Sequence, residues 1–102
     1  MPKKIRRVVT GQNEEGKSVI VSDEPSPHVL ALPGVALTNL WVTDGSPADN
    51  AGRADAARRP VVLEPPAGGT IFRIIEFPPE KELGTHFDHK AVFDAMGVPA
   101  VP

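Results

Sequence analysis

The 102-residue chain contains no cysteine. Disulfide bonds, thiol nucleophiles and thiolate metal sites are therefore excluded, and a chain without disulfides fits a cytoplasmic protein. No apolar run approaches the ~18 residues of a membrane span. Only Val8 and Val9 follow the first basic residues, so the apolar region of a signal peptide is missing. We expect a cytoplasmic protein with no membrane partner.

A strong net charge is absent as well. Lys and Arg number 11 against 13 Asp and Glu, a net charge of −2, so no overall field attracts nucleic acid or an anionic membrane. The one basic run is Lys3, Lys4, Arg6 and Arg7. A nucleic-acid or targeting arm is one interpretation, but four charges make a short run, and we favour a solubilising start to an edge strand. No nucleic-acid partner is expected.

Long helices have little room in this sequence, which contains 12 Pro and 9 Gly. A helical bundle and a coiled coil are therefore not expected. Hydrophobic residues (40%) and charged residues (24%) are near globular averages. The chain should fold, and its length is that of a domain with one core.

Alternation of apolar residues with period two predicts short strands separated by Pro and Gly. The predicted strands are 5–10, 18–22, 28–32, 35–43, 61–64 and 70–77. The first two form a hairpin, and Pro25 and Pro27 should end its second strand because proline lacks the backbone donor. Neither face of 35–43 is purely polar, so this strand should be covered on both sides.

Two segments break the strand pattern. Residues 44–60 are rich in Ala and charge and nearly free of large apolar side chains, which predicts an exposed loop. Residues 85–97 have apolar residues at helical spacing. Thr85 and Asp88 resemble a capping box at the start, and Gly97 supplies the residue after the helix end. We therefore predict one short helix over 85–97.

Few residues are candidates for chemistry. His86 and His89 are three positions apart, a spacing that allows two imidazoles on one helix face to hold a divalent metal. Two ligands are too few for such a site, and we favour an exposed histidine near a helix N-terminus. Trp41 is expected in the core, with the wall of a small-molecule pocket as the alternative. We assign no catalytic, cofactor-binding or metal-binding residue.

Six segments spread over nearly the whole chain carry a family resemblance: RRVVTG (6–11), GKSVIVSD (16–23), LTNLWVTDGSPADN (37–50), PPAGGT (65–70), FRIIEFPP (72–79) and DHKAVFDAMG (88–97). Together they resemble the N-terminal half of small single-domain bacterial cupin proteins. The resemblance implies a jelly-roll β-barrel or sandwich, in proteins that are often dimeric. Cupins as a class commonly hold a divalent metal through His and carboxylate ligands and act on small organic molecules as oxygenases, isomerases or decarboxylases.

Both cupin metal-binding motifs are missing from this sequence. In relatives of this type they follow the segment similar to 88–97, and this chain ends at Pro102. His86 and His89 do not replace them, because the cupin motif has His-x-His and not His-x-x-His spacing. The resemblance therefore implies a divalent metal only for a full-length relative. For 1–102 we expect a single, truncated cupin-like β domain with one short C-terminal helix.

Two functions are compatible with these observations. The first is a cupin-family protein related to metal-dependent enzymes that act on small organic molecules, in which Trp41, Phe72 and Ile74 form part of a pocket wall. The second is a non-catalytic β module that self-associates, as a dimer, because half a barrel leaves open strand edges, or that binds a partner or small ligand. The residues alone do not decide between them.

Overall fold

The computed structural model is mainly β, as the sequence predicts, with two antiparallel sheets and one short helix. It describes residues 3–77 and 89–97. The elements are β1 (Arg6–Gln12), β2 (Ser18–Pro25), β3 (Val29–Leu32), β4 (Val35–Thr43), β5 (Thr70–Glu76) and α1 (His89–Ala95). β1 pairs with β2 in one sheet, and β4 is the centre of the other, between β3 and β5. The predicted helix residues 85–88 lie outside the described part.

The first hairpin is longer than predicted, because β2 continues to Pro25. Pro25 lies opposite Arg6, and the next residue, Ser26, donates its backbone N–H to the Ile5 carbonyl at 2.8 Å. Hydrogen-bonded and non-bonded positions alternate in an antiparallel pair. Pro25 therefore occupies a non-bonded position, where the missing N–H would point away from β1. The prediction that the ladder stops before Pro25 is wrong, because this proline removes no ladder bond.

β4 has the bounds predicted for it, and most of its side chains are buried. A tight turn at Pro33–Gly34 connects it to β3, with Leu32 and Val35 paired across the turn. Proline at the second turn position sets φ, and Gly34 has φ of 85°, as the third position of a type II turn requires. Burial along the strand confirms the prediction that both faces are covered.

The core lies on one face of β4. Val35 and Leu37 pack there with Val92 of α1 and with Met96. Four partly buried side chains complete the cluster: Leu30, Leu32, Val61 and Leu63. The apolar side of α1 therefore packs against the larger apolar surface of the sheet, as expected for a short amphipathic helix.

Residues 61–64 are not a strand, so that prediction is wrong. The segment still contributes apolar side chains to the core, but other groups satisfy its backbone. Leu63 donates its N–H to the Met96 carbonyl at 2.8 Å, and its own carbonyl accepts from Arg73 at 3.0 Å. The Val62 carbonyl accepts from the same guanidinium. An arginine side chain thus supplies donors that a neighbouring strand would otherwise provide.

The N-terminal residues reach the opposite face of β4. The backbone N–H of Lys3 donates to the Glu76 carboxylate of β5 at 2.9 Å, and Ile5 is bonded to Ser26, just before β3. The chain thus runs between the two edges of the three-stranded sheet. On this face of β4, Ala36 lies opposite Glu76 of β5 and Thr38 lies opposite Ile74. Both Ala36 and Thr38 are buried.

The predicted exposed loop 44–60 contains no helix or strand, and most of its residues are exposed. Two positions differ from the expectation: Ala57 is fully buried, and the carboxylate of Asp55 points inward to a charged partner on β1. The loop is therefore anchored at 55–57. Within residues 3–77 and 89–97, no helix is both long enough and apolar enough to cross a membrane.

Candidate functional site

Three side chains from distant parts of the sequence meet between the two sheets, and we call them the Arg7 cluster: Arg7, His28 and Asp55. The Arg7 guanidinium donates to both Asp55 oxygens, from Nη1 to Oδ1 at 3.0 Å and from Nη2 to Oδ2 at 2.7 Å. His28 Nε2 lies 2.8 Å from the same Oδ2. Nη1 also donates to the Leu40 carbonyl at 3.2 Å. The cluster joins β1, β4, the segment before β3 and the 44–60 loop.

The Arg7 cluster is a desolvated ion pair. The side chain of Arg7 is 6% exposed and that of Asp55 is 21% exposed. Hydrogen bonds from Arg7 are the largest cause that holds the pKa of Asp55 well below its usual range. Hydrogen bonds from His28 and from the Ala57 backbone N–H act in the same direction, whereas burial opposes them. Asp55 is therefore ionised at neutral pH and neutralises Arg7.

A second set of polar contacts continues from the Arg7 cluster across the sheet. Ser26 Oγ donates to the Asn39 carbonyl at 2.7 Å, and the Asn39 N–H donates to the His28 carbonyl at 2.9 Å. The Asn39 side chain accepts from Arg73 Nε at 2.8 Å. Burial lowers the pKa of Arg73. These bonds fix the buried polar groups of Asn39 and brace the segment that leads into β3.

A groove of about 380 Å³ lies beside the Arg7 cluster, and we call it the Trp41 groove. Its lining is a run of β1 and three residues of the other sheet: Arg6, Arg7, Val8, Val9, Thr10, Leu40, Trp41 and Phe72. A wider hollow of about 710 Å³ follows on the other side of Trp41, towards residues 49–54. Trp41 and Val9 line both spaces.

A register shift in β4 determines which side chain faces Phe72. Asn39 lies opposite Arg73, whereas Trp41 lies opposite Phe72, so Leu40 is an extra residue in the ladder. Without this irregularity, Leu40 would occupy the position that Trp41 has. Bulges of this type re-aim a side chain and are over-represented next to active sites. Here the shift pairs the two aromatic rings in the wall of the groove.

The structure brings together two of the three residues expected in a pocket wall. Trp41 is half-buried and Phe72 is largely exposed, and both line the Trp41 groove. Ile74 lies on the same face of β5, opposite Thr38, but does not line the groove. His86 lies outside the described residues, and His89 begins α1. Within 3–77 and 89–97, no three His, Asp or Glu side chains group as metal ligands.

Sequence reasoning missed the Arg7 cluster entirely. The sequence pattern places Arg7 in a solubilising basic run and Asp55 in an exposed loop, and it gives no signal that His28 meets either of them. Their separations along the chain are 27 and 48 residues. No local pattern reports a contact over such distances. Arg7 faces inward on β1, but this position indicates a buried partner only when the pairing of the strands is known.

The sequence matches no protein-family model. The curated proteins contain no significant match to it either.

Proposed function

We propose that this chain is a non-catalytic, cytoplasmic β module of cupin-like fold that associates with a second copy of itself through β5. The observation that carries the proposal is the exposure of β5, which is a sheet edge with apolar side chains uncovered on both faces. The cupin-like fold is part of the proposal because the sequence resembles that family.

β5 pairs on one side only within the described residues, with β4. Phe72 is 65% exposed and Ile74 is 36% exposed, on one face of the strand. On the other face Ile75 is 41% exposed, and Phe77, directly after the strand, is 73% exposed. Because successive side chains of a strand point to opposite faces, a new neighbouring strand would cover residues of both sets.

Two of the other sheet edges, β3 and β2, carry features that oppose strand addition. β3 has four residues and lies between Pro27 and Pro33. β2 ends in the sequence Asp23, Glu24, Pro25. Short edge strands, charged side chains and prolines are the usual protection of a sheet edge. β5 has seven residues and contains no proline and no lysine.

The two charged side chains of β5 are engaged inside the molecule. Arg73 donates to Asn39 and to the carbonyl groups of residues 62 and 63. Glu76 accepts from the Lys3 backbone N–H. Both side chains are therefore held by hydrogen bonds within the chain. Among residues 3–77 and 89–97, no strand pairs with the outer side of β5, so its backbone groups there are available for a ladder.

A second copy of β5 fits this edge. Two-fold symmetry pairs a strand with its own copy in antiparallel orientation. An axis beside Ile74 places the two Ile74 side chains together and sets Arg73 opposite Ile75 of the second copy, so like charges stay apart. The two Phe side chains expose roughly 200–350 Å² per chain. This is well below the ~800 Å² per partner of a standard interface, so we expect a dimer of micromolar affinity.

Sedimentation velocity over a concentration series from low to high micromolar tests the proposal. We expect a shift from monomer to dimer. Ile75→Lys places a charge on the edge and should keep the chain monomeric at all concentrations. Ile20→Lys introduces the same change at an exposed position of β2 and should dimerise like the parent. A parent chain that stays monomeric, or an Ile75→Lys variant that dimerises normally, overturns the proposal.

A further inference from the structure

We propose that the Trp41 groove binds a small, uncharged molecule with an aromatic ring. The groove lies between β1 and the β4–β5 pair of one chain, so it is complete without a second copy. Because Phe72 also belongs to the proposed dimer edge, binding is measured at a chain concentration at which the parent is monomeric. The proposed binding rests on the size of the groove, on its aromatic wall and on the neutralisation of the charges that line it.

The size and wall of the groove suit one aromatic ligand. Its volume of about 380 Å³ lies in the range of small-molecule sites, which are mostly apolar with a few polar groups. Trp41 and Phe72 are opposite each other across the β4–β5 ladder. Aromatic rings favour offset or edge-to-face contacts with a further ring. Because both residues lie on strands, these two contacts are positioned before any ligand enters.

The charges of the groove are already paired. Arg6 donates to both carboxylate oxygens of Asp23, at 2.8 and 2.9 Å, and Arg7 does the same to Asp55. A charged ligand would lose part of its hydration, and both arginine charges beside it are already shared with carboxylates. Besides the two arginines, Thr10 is the one polar residue in the lining. The groove therefore favours a neutral aromatic ligand.

Trp41 provides a direct reporter for this site. It is the single tryptophan of the chain, which also contains no tyrosine. The probe is N-phenyl-1-naphthylamine, which is uncharged and accepts energy from tryptophan. We expect its emission to rise and Trp41 emission to fall, in a saturable one-site titration. The matched charged probe is 8-anilinonaphthalene-1-sulfonate, which adds a sulfonate to the same rings and should bind about tenfold more weakly or worse.

Two variants of the first hairpin separate the groove from other apolar surface. Val8→Glu places a carboxylate in the groove and should weaken binding of the neutral probe about tenfold. Ile20→Glu is exposed on the same hairpin but does not line the groove, and should bind like the parent. Thr10→Glu is a second groove variant in case Val8→Glu does not fold, as judged by circular dichroism.

Three results would overturn the inference. These are the absence of saturable binding, equal affinity for the neutral and sulfonated probes, and unchanged affinity in a folded groove variant. At a chain concentration at which the parent is monomeric, the edge variant Ile75→Lys should bind the probe as the parent does, since Ile75 does not line the groove. Loss of dimer with probe binding intact would support both proposals. A monomeric parent that binds the probe would refute self-association alone.

Discussion

Replacement of Asp55 by Asn tests whether the Arg7 cluster stabilises the fold. Asn has nearly the same size and retains one carbonyl acceptor, but it removes the charge that neutralises Arg7. The guanidinium would remain 6% exposed, with its positive charge uncompensated. The variant should therefore unfold more readily, and the 44–60 loop should lose its anchor to β1.

The expected loss of stability follows from the burial of the pair. Breaking a buried ion pair by removing one partner costs about 3–5 kcal/mol. Asp55 is 21% exposed, so water partly replaces the lost contact, and we expect a value near 3 kcal/mol. A chain of this length has a total stability of about 5–15 kcal/mol. The variant therefore loses between a fifth and more than half of the folding free energy.

Urea denaturation followed by Trp41 emission and by far-ultraviolet circular dichroism measures this loss. Asp49→Asn is the matched control, because Asp49 is exposed in the same loop and its Oδ1 accepts from the Ala51 N–H, an interaction that Asn retains. We expect the control to stay within about 0.5 kcal/mol of the parent. A loss below about 1 kcal/mol in Asp55→Asn would refute a stabilising role for the pair.

Three further outcomes follow from the same structure. The fold holds the pKa of Asp55 below its unfolded value of about 4, so the ionised carboxylate stabilises the fold above that pH, and this stabilisation is lost as the pH falls further. The free energy of unfolding should therefore fall more steeply with decreasing pH in the parent than in Asp55→Asn. Gly69→Ala should cost about 1–3 kcal/mol in urea denaturation, because an added Cβ would overlap the backbone of β4, whereas Gly45→Ala, with open space around it, should change little. Leu37→Ala should cost about 2–5 kcal/mol as a cavity in the core, and Ile20→Ala, on the exposed hairpin, should stay within about 0.5 kcal/mol.

Local patterns in the sequence were sufficient to predict the β class and the bounds of β4. Alternation of apolar and polar residues with period two predicts a strand, because successive side chains of a strand point to opposite faces of the sheet. This pattern is visible in neighbouring residues of the sequence. The proline and glycine at 33 and 34 likewise predict a turn from their own backbone preferences. The location of the β5 strand was also predicted, to within one residue at its end.

Properties that depend on distant partners were decided by tertiary structure alone. Pro25 belongs to β2 because the ladder places it at a position that needs no donor, and 61–64 is not a strand because Arg73 satisfies its carbonyl groups. Asp55 is partly buried because Arg7, 48 residues away, faces it. The pairing of Trp41 with Phe72 depends on one extra residue in the ladder. In each case, the conformation of a segment is stabilised by a group that lies outside that segment in the sequence.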